Sequence, residues 1–188
     1  LRHPSQPVSR LVWTYTFGML AFMSLNGVIA LYLAATFGFD ERTIGSFFLY
    51  VGVVGLLSRV VVIGASVKAF GEVGTLRIGA ALIAIGLLTI PFASNLPGLA
   101  FCAAMMPLGT ALLFPATTSL VSQRFAAGEV GGVLGVQQAF GGVARTVGPL
   151  WANLAFEVDK TLPFWIAGAL MVAVSLYTFR IEVPRKVP

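Results

Sequence analysis

Residues 98–121 read GLAFCAAMMPLGTALLFPATTSLV, a run without a charged side chain. At 1.5 Å per residue, an α-helix over this run would be roughly 36 Å long. The hydrocarbon core of a bilayer is about 30 Å thick, so a helix of this length and composition is typical of a membrane span. The run therefore predicts that lipid surrounds much of this chain.

The composition of the whole chain agrees with that interpretation. Of its 188 residues, 57% are hydrophobic and 10% are charged, whereas a soluble domain carries about 25% charged residues. The net charge of +5 does not indicate a nucleic-acid partner, because the 12 basic residues are scattered between apolar runs and form no basic stripe. We expect the bilayer itself to be the main partner.

Five more runs of comparable length lie between the charged, Pro and Gly positions that interrupt helices. The six candidate spans are residues 11–37, 44–67, 77–93, 98–121, 131–156 and 163–179, with a loop expected from Lys68 to Leu76. They predict an all-α integral membrane protein, a bundle of six transmembrane helices. Residues 1–10 and 180–188 would be a cytoplasmic segment and a cytoplasmic tail.

Lys and Arg divide unevenly between the two ends of these spans. Only Arg42 and Lys160 fall on one side, among four acidic residues. The other side collects Arg2, Arg10, Lys68, Arg77, Arg124, Arg180, Arg185 and Lys186. Because cytoplasmic loops accumulate positive charge, both termini are expected in the cytoplasm. The chain starts at Leu1 rather than Met, so we also expect further sequence upstream.

Residues that could perform catalysis or hold a metal are scarce. His3, the only histidine, lies in the polar N-terminal segment, and no carboxylate falls inside the six predicted spans. Cys102 is the only cysteine, which excludes a disulfide within one chain. We therefore expect neither an enzyme nor a metal or cofactor site.

Arg145 is the most informative polar residue. It falls about 14 residues, or roughly 21 Å, into the fifth predicted span, near the middle of the bilayer. A charge there usually faces a cavity or a partner. The partner could be a backbone carbonyl, a substrate anion, or an acidic group on another segment. Arg59, in contrast, could extend its side chain to the cytoplasmic interface.

Neutral polar residues in the spans could line a cavity around Arg145, or equally link helices by hydrogen bonds. The candidates are Tyr15 and Asn26 on the first span, with Gln137 and Gln138 on the fifth. Neighbouring side chains on a helix diverge by about 100°, so at most one of the two glutamines should face a given cavity.

Glycines and prolines predict how the spans pack. Glycines spaced one turn apart let helix backbones approach closely in lipid. Prolines within spans free backbone carbonyls and bend helices, so the fourth and fifth spans are expected to be kinked. The residues singled out for packing and kinking are Gly109, Pro115, Gly131, Gly135, Gly148 and Pro149.

Three of these features occur in an ordered series: LGTALLFPA at residues 108–116, Gly131 with Gly135, and ARTVGPL at residues 144–150. The series resembles the C-terminal half of a major facilitator superfamily transporter, particularly the tetracycline and multidrug efflux-like proton antiporters. Gly64 and Gly71 keep the spacing of that family's cytoplasmic loop motif. Lys68 and Ala69 depart from it, since the family usually has an acid and a base there.

The resemblance implies that the six spans are half of a twelve-helix fold, in which two halves rock about a substrate between them. It implies export of a small amphipathic molecule by proton antiport, with an N-terminal six-helix half as partner, in a bacterial inner membrane. The proton-carrying groups would then lie in that other half. The alternative is a non-transporting accessory or scaffold subunit of a larger membrane complex.

Overall fold

The computed structural model describes residues 7–181, and within that range the regular structure is entirely helical. A π-helical turn, Ser58–Val62, joins α2 directly to α3, and a 3-10 turn, Ile90–Phe92, ends α3. The predicted terminal segments, including His3, lie mostly outside the described residues. The α-helices are α1 (Pro7–Phe37), α2 (Glu41–Leu57), α3 (Ile63–Thr89), α4 (Leu96–Ser122), α5 (Ala127–Val158) and α6 (Leu162–Thr178).

The prediction of a loop from Lys68 to Leu76 is wrong. The chain is helical through this stretch, and Gly71 alone leaves helical geometry, with φ 69° and ψ 176°. Glycine tolerates this positive φ because it has no Cβ. Counted as uninterrupted runs, residues 7–181 therefore contain five helical runs where six separate helices were predicted.

Gly71 nevertheless reverses the direction of its helical run. The hydroxyl oxygens of Ser66 and Thr75 are 3.1 Å apart, although nine residues of straight helix would separate them by roughly 13 Å. The limbs on both sides of Gly71 also reach α4: a Cβ on Gly55 would lie 3.4 Å from Cβ of Pro107, and Gly79 approaches Leu113. The run therefore folds back on itself.

The core forms where α3 lies between α4 and α6. A Cβ on Gly79 would lie 2.6 Å from the backbone nitrogen of Leu113, and a Cβ on Gly109 would lie 2.8 Å from the carbonyl oxygen of Gly79. Such backbone-to-backbone contact leaves no room for a larger residue. Gly109, which the sequence analysis singled out for packing, lies at this crossing, and Ile83 and Leu113 beside it are fully buried.

A second close crossing joins α1 to α5. A Cβ on Gly148 would lie 2.9 Å from Cβ of Met23, and a Cβ on Gly27 would lie 2.9 Å from Cα of Pro149. In contrast, Gly131 and Gly135 do not pack against another helix of this chain, because a Cβ on either would meet nothing within 4 Å. Both are exposed, on a side of α5 that the described residues leave uncovered.

The predicted kinks in the fourth and fifth spans do not interrupt the helices. α4 continues through Pro107 and Pro115, and α5 continues through Pro149. Within α3, in contrast, Gly71 leaves helical geometry at a positive φ, which glycine tolerates.

Much of the apolar surface is left exposed. α2 buries no residue within the described chain, and Leu49 on α2 and Leu154 on α5 are more than 60% exposed. Three helical runs are long and apolar enough to cross a membrane, Val8–Phe37, Glu41–Phe92 and Leu96–Ser122, and Leu162–Thr178 is apolar but shorter. Exposed apolar surface on this scale indicates contact with lipid or with another membrane segment.

Residues of α1, α3, α4 and α5, with one that follows α6, meet in one small apolar cluster. Leu11 of α1, Leu76 of α3, Leu120 of α4 and Ile181 after α6 pack together there, with Leu134 of α5 beside them. Arg10, Arg77 and Arg180 are next to these residues in sequence, and Arg124 follows Leu120 by four positions. The structure thus gathers at one end of the bundle four of the basic residues that the sequence placed on one side.

Candidate functional site

Arg145 lies near the middle of α5, and its side chain is exposed. One terminal nitrogen lies 3.4 Å from Oε1 of Gln138 and 3.5 Å from the hydroxyl oxygen of Tyr15. Both distances are long for hydrogen bonds. Both partners are uncharged, so the positive charge of Arg145 is not neutralised within residues 7–181.

Tyr15 connects α1 to this pair. Its side chain is 3% exposed, and its hydroxyl donates to Oε1 of Gln138 at 3.2 Å. The ring is held between Phe114, edge to face at 5.3 Å between centroids, and Gly141, where a Cβ would lie 2.7 Å from Cε1 of Tyr15. Glycine at position 141 therefore makes room for the ring that carries the hydroxyl.

Tyr15 and Gln138 line an open cavity between α1, α4 and α5. Its volume is about 530 Å³. It is lined by Tyr15, Phe114, Pro115, Thr118, Ser119, Ser122, Leu134 and Gln138. Hydroxyl and amide groups alternate there with apolar side chains, a composition suited to a small amphipathic ligand.

The two neighbouring glutamines separate as the helical period requires. Gln138 faces the cavity, whereas Gln137 is fully buried and donates through Nε2 to the hydroxyl of Thr118 at 3.0 Å. The carbonyl oxygen of Gln137 has no hydrogen-bond partner within the described residues. Gln137 therefore ties α5 to α4 behind the cavity wall.

Asn26 is not brought to the same place. It is exposed on α1, and its Nδ2 donates to the carbonyl oxygen of Phe22 at 2.8 Å. It lines a separate small pocket with Phe47 and Met106. Arg59 is also exposed, in the π-helical turn after α2. Neither residue contacts Arg145 in the described chain.

Sequence reasoning missed Glu72, because the region was expected to be a loop. The carboxylate lies inside α3, one residue after the break at Gly71, and is half-buried. Its Oε1 accepts hydrogen bonds from Ser119 and from Nε2 of Gln123, each at 2.7 Å. Ser119 also lines the cavity, so the side chain of Ser119 connects Glu72 to the cavity. The residues that would have indicated this contact lie far away in sequence, on α4.

The remaining loop-motif residues make no comparable contact. Gly64 and Lys68 are exposed on α3, and a Cβ on Gly64 would meet nothing within 4 Å. Across residues 7–181 no group of three His, Cys, Asp or Glu side chains is placed to hold a metal ion. The polar cluster of Tyr15, Gln138 and Arg145 therefore stands as the candidate site.

This arrangement of helices is one that known proteins share. The profile of the Major Facilitator Superfamily matches residues 11–188. The chain belongs to this superfamily. The resemblance seen in the glycine and proline series is thereby confirmed, and the apolar helices of a superfamily member are those of an integral membrane protein.

Individual superfamily relatives are distant and longer than this chain. Multidrug resistance protein 1 of Bacillus subtilis is 25% identical over 81% of this chain and 38% of its own length. Human major facilitator superfamily domain-containing protein 10 is 25% identical over 85% of this chain and 33% of its own length. The chain thus spans well under half of the relatives it matches.

A solved structure has the same fold. The crystal structure of the human organic anion transporter MFSD10 (TETRAN) superposes with a TM-score of 0.81 at 22% identity, covering 91% of this chain and 40% of that one. At this identity the likeness concerns the fold. Superfamily members are transporters.

Proposed function

We propose that this chain is the C-terminal half of a secondary active transporter, which exports a small amphipathic molecule by proton antiport. The observation that supports it most directly is the charge of Arg145, whose partners among residues 7–181, Tyr15 and Gln138, are uncharged and line an open cavity. A cation in that position stabilises an anionic or strongly polar group of a ligand, because no carboxylate within residues 7–181 neutralises it there.

The names of the relatives support the same class of substrate. One relative is called a multidrug resistance protein, and the protein of the solved structure is called an organic anion transporter. The cavity beside Arg145 combines aromatic and hydroxyl groups, which suits an organic molecule with one charged end.

Length argues for six membrane crossings in this half. The helical run Glu41–Phe92 has 52 residues, so a straight helix would be roughly 78 Å long, more than twice the bilayer core of about 30 Å. With the reversal at Gly71 the run crosses twice, and the other four helices cross once each. The basic end of the bundle would face the cytoplasm, with both termini there.

Transport then requires a second six-helix half facing α1 and α5. Secondary transporters bind substrate between two such halves, which rock to open the site alternately on each side. The candidate site is on the exposed side of α5 beside α1, so a second half placed there would complete a cavity around the substrate. The second half would also cover the open surface at Gly131 and Gly135.

The test compares charge at position 145 in the full-length protein. In inverted membrane vesicles with an imposed pH gradient, Arg145→Gln should lower export of an anionic dye by about tenfold or more, since hydrogen bonds to charged groups contribute about 1.5–3 kcal/mol. Arg145→Lys should retain part of the activity. Arg59→Gln, which changes an exposed arginine away from the cavity, should export normally.

The result also separates the proposal from its alternative. Export that is unaffected by Arg145→Gln would remove Arg145 from the substrate site. A correctly inserted full-length protein that moves no anionic or neutral dye under any imposed gradient would contradict transport and favour an accessory subunit.

A further inference from the structure

A groove outside the candidate site runs between α1 and α6. Its volume is about 400 Å³, and Trp13, Phe17, Leu170, Val174 and Tyr177 supply most of its lining. Nearly all of the exposed lining is apolar. Trp13 stacks on Phe17 with 5.4 Å between ring centroids, so the aromatic wall is ordered by contacts of its own.

Arginines gather at one end of this groove. Arg10 lies one helical turn before Trp13, and Arg180 lies one turn after Tyr177. The two are adjacent in space, because a guanidinium nitrogen of Arg10 donates to the carbonyl oxygen of Arg180. The end of the groove therefore carries two cationic side chains next to aromatic ones.

A third arginine fixes this end of the bundle. Arg77 of α3 donates through Nε to the carbonyl oxygen of Thr178 at 3.4 Å and through a terminal nitrogen to that of Ile181 at 3.3 Å. Its guanidinium also lies 4.8 Å from the ring centroid of Phe179. Arg77 thus donates hydrogen bonds to carbonyls at and after the end of α6, and the guanidinium of Arg180 does not take part in them. That group is exposed and forms no hydrogen bond or ion pair within residues 7–181.

We propose that this groove binds an anionic phospholipid, with its headgroup at Arg10 and Arg180 and an acyl chain along Trp13, Phe17 and Leu170. The occupant is a lipid because the two parts of the groove match the two parts of a phospholipid. The apolar wall on membrane-spanning helices suits an acyl chain, and the cationic side chains at its end suit a charged headgroup. Basic pockets between membrane helices bind acidic headgroups in this manner. Trp and Tyr favour the headgroup level, where their rings meet both phases.

Trp13 supplies a reporter inside the groove. The full-length protein is reconstituted into vesicles of brominated phosphatidylglycerol or brominated phosphatidylcholine at equal mole fractions, since bromine quenches tryptophan on contact. Subtracting the emission of a Trp13→Phe variant isolates Trp13. The anionic lipid should quench Trp13 with about a fivefold higher association constant for each arginine engaged, and the preference should weaken in high salt.

Charge variants decide the outcome. Arg180→Gln should reduce the anionic preference about fivefold, and Arg10→Gln with Arg180→Gln should abolish it. Arg42→Gln, at the start of α2, is the matched control and should leave it intact. If the double variant does not insert, Arg180→Gln alone still tests the site, because that guanidinium holds no part of the described fold.

Equal quenching by both lipids would overturn the proposal, since the groove would then be an unselective lipid-facing surface. Absence of quenching by either lipid would also overturn it, because another part of the protein would cover the groove. The proposal does not depend on transport: Arg145 variants should leave Trp13 quenching unchanged.

Discussion

Two close helix crossings in this bundle differ in what surrounds them. At the α3–α4 crossing, Gly79 and Gly109 bring backbones together inside buried apolar side chains such as Ile83 and Leu113. At the α1–α5 crossing, Gly148 does the same, but one side of α5 stays exposed and carries Arg145 and Gln138. The first crossing is built for stability, and the second leaves polar groups beside a cavity.

The difference shows what small residues do in each place. In lipid, helices associate through close packing and hydrogen bonds, because lipid is as apolar as the side chains. At α3–α4 the close approach maximises packing, with α6 on the other side of α3. At α1–α5 it positions Tyr15 against α5 and leaves α5 able to contact something else. Close backbone approach at glycine therefore forms part of the core at the α3–α4 crossing and part of the candidate site at the α1–α5 crossing.

The largest expected effect comes from Gly79→Leu at the α3–α4 crossing. A Cβ there would lie 2.6 Å from a backbone nitrogen and 2.8 Å from a carbonyl oxygen, neither of which can move aside. We expect a loss of about 3 kcal/mol or more in the free energy of unfolding, measured by thermal unfolding in detergent. Gly64→Leu, on the same helix where a Cβ would meet nothing within 4 Å, should be near neutral. Equal Tm values for the two variants would contradict a sealed crossing.

How far the sequence predicted this fold depends on what each residue signals locally. Apolar runs and the absence of charge at residues 98–121 suffice to predict helices in lipid. Gly71, Lys68 and Glu72 look like a loop because charge and glycine cluster there. The structure keeps the helix because one glycine with positive φ can reverse the chain without further residues.

The candidate site was predicted as a set of residues and not as a geometry. Arg145, Tyr15 and Gln138 could be named from their polarity at membrane depth. Their mutual contact depends on how α1 crosses α5, and that is set by tertiary packing at Gly148 and Gly141. Tertiary packing also determines that Asn26 lies away from the cluster and that Glu72 contacts α4, and neither result could be predicted from the sequence.

The α1–α5 crossing should tolerate more than the α3–α4 crossing. In Gly148→Leu the new Cβ would lie 2.9 Å from Cβ of Met23 and 3.1 Å from the carbonyl oxygen of Leu20. Because α5 is exposed on one side, it can shift away from α1, so we expect a loss of about 2 kcal/mol in thermal unfolding. Gly142→Leu, also on α5 and without neighbours within 4 Å, is the control. A larger loss for Gly148→Leu than for Gly79→Leu would reverse the comparison.

Glu72 tests whether the α3–α4 crossing is stabilised by packing alone. Glu72→Ala removes two hydrogen bonds to a charged group, from Ser119 and Gln123. Since α3 and α4 remain packed elsewhere, we expect a loss of about 1.5 kcal/mol in the free energy of unfolding. A double-mutant cycle with Ser119→Ala supplies the control, because two residues in contact should be non-additive. Full additivity would show that the hydrogen bond contributes nothing to this crossing.

The smallest effect is expected outside both crossings, at the turn between α1 and α2. Asp40 caps α2 by accepting from the backbone nitrogen of Thr43 at 2.8 Å, and hydrogen bonds from the side chain and backbone of Thr43 lower the pKa of Asp40 below its ordinary value. A pKa lowered by folding makes the ionised form stabilising: the contribution is complete above the ordinary pKa of Asp and is lost as pH falls through the lowered pKa.

Asp40→Asn keeps a capping oxygen but cannot titrate, so the difference in Tm between the wild type and Asp40→Asn should shrink between neutral pH and about pH 3. Asp40→Ala should lower the Tm at neutral pH through loss of the cap. A pH-independent difference would remove the Asp40 charge from the stability of this turn and leave the cap alone.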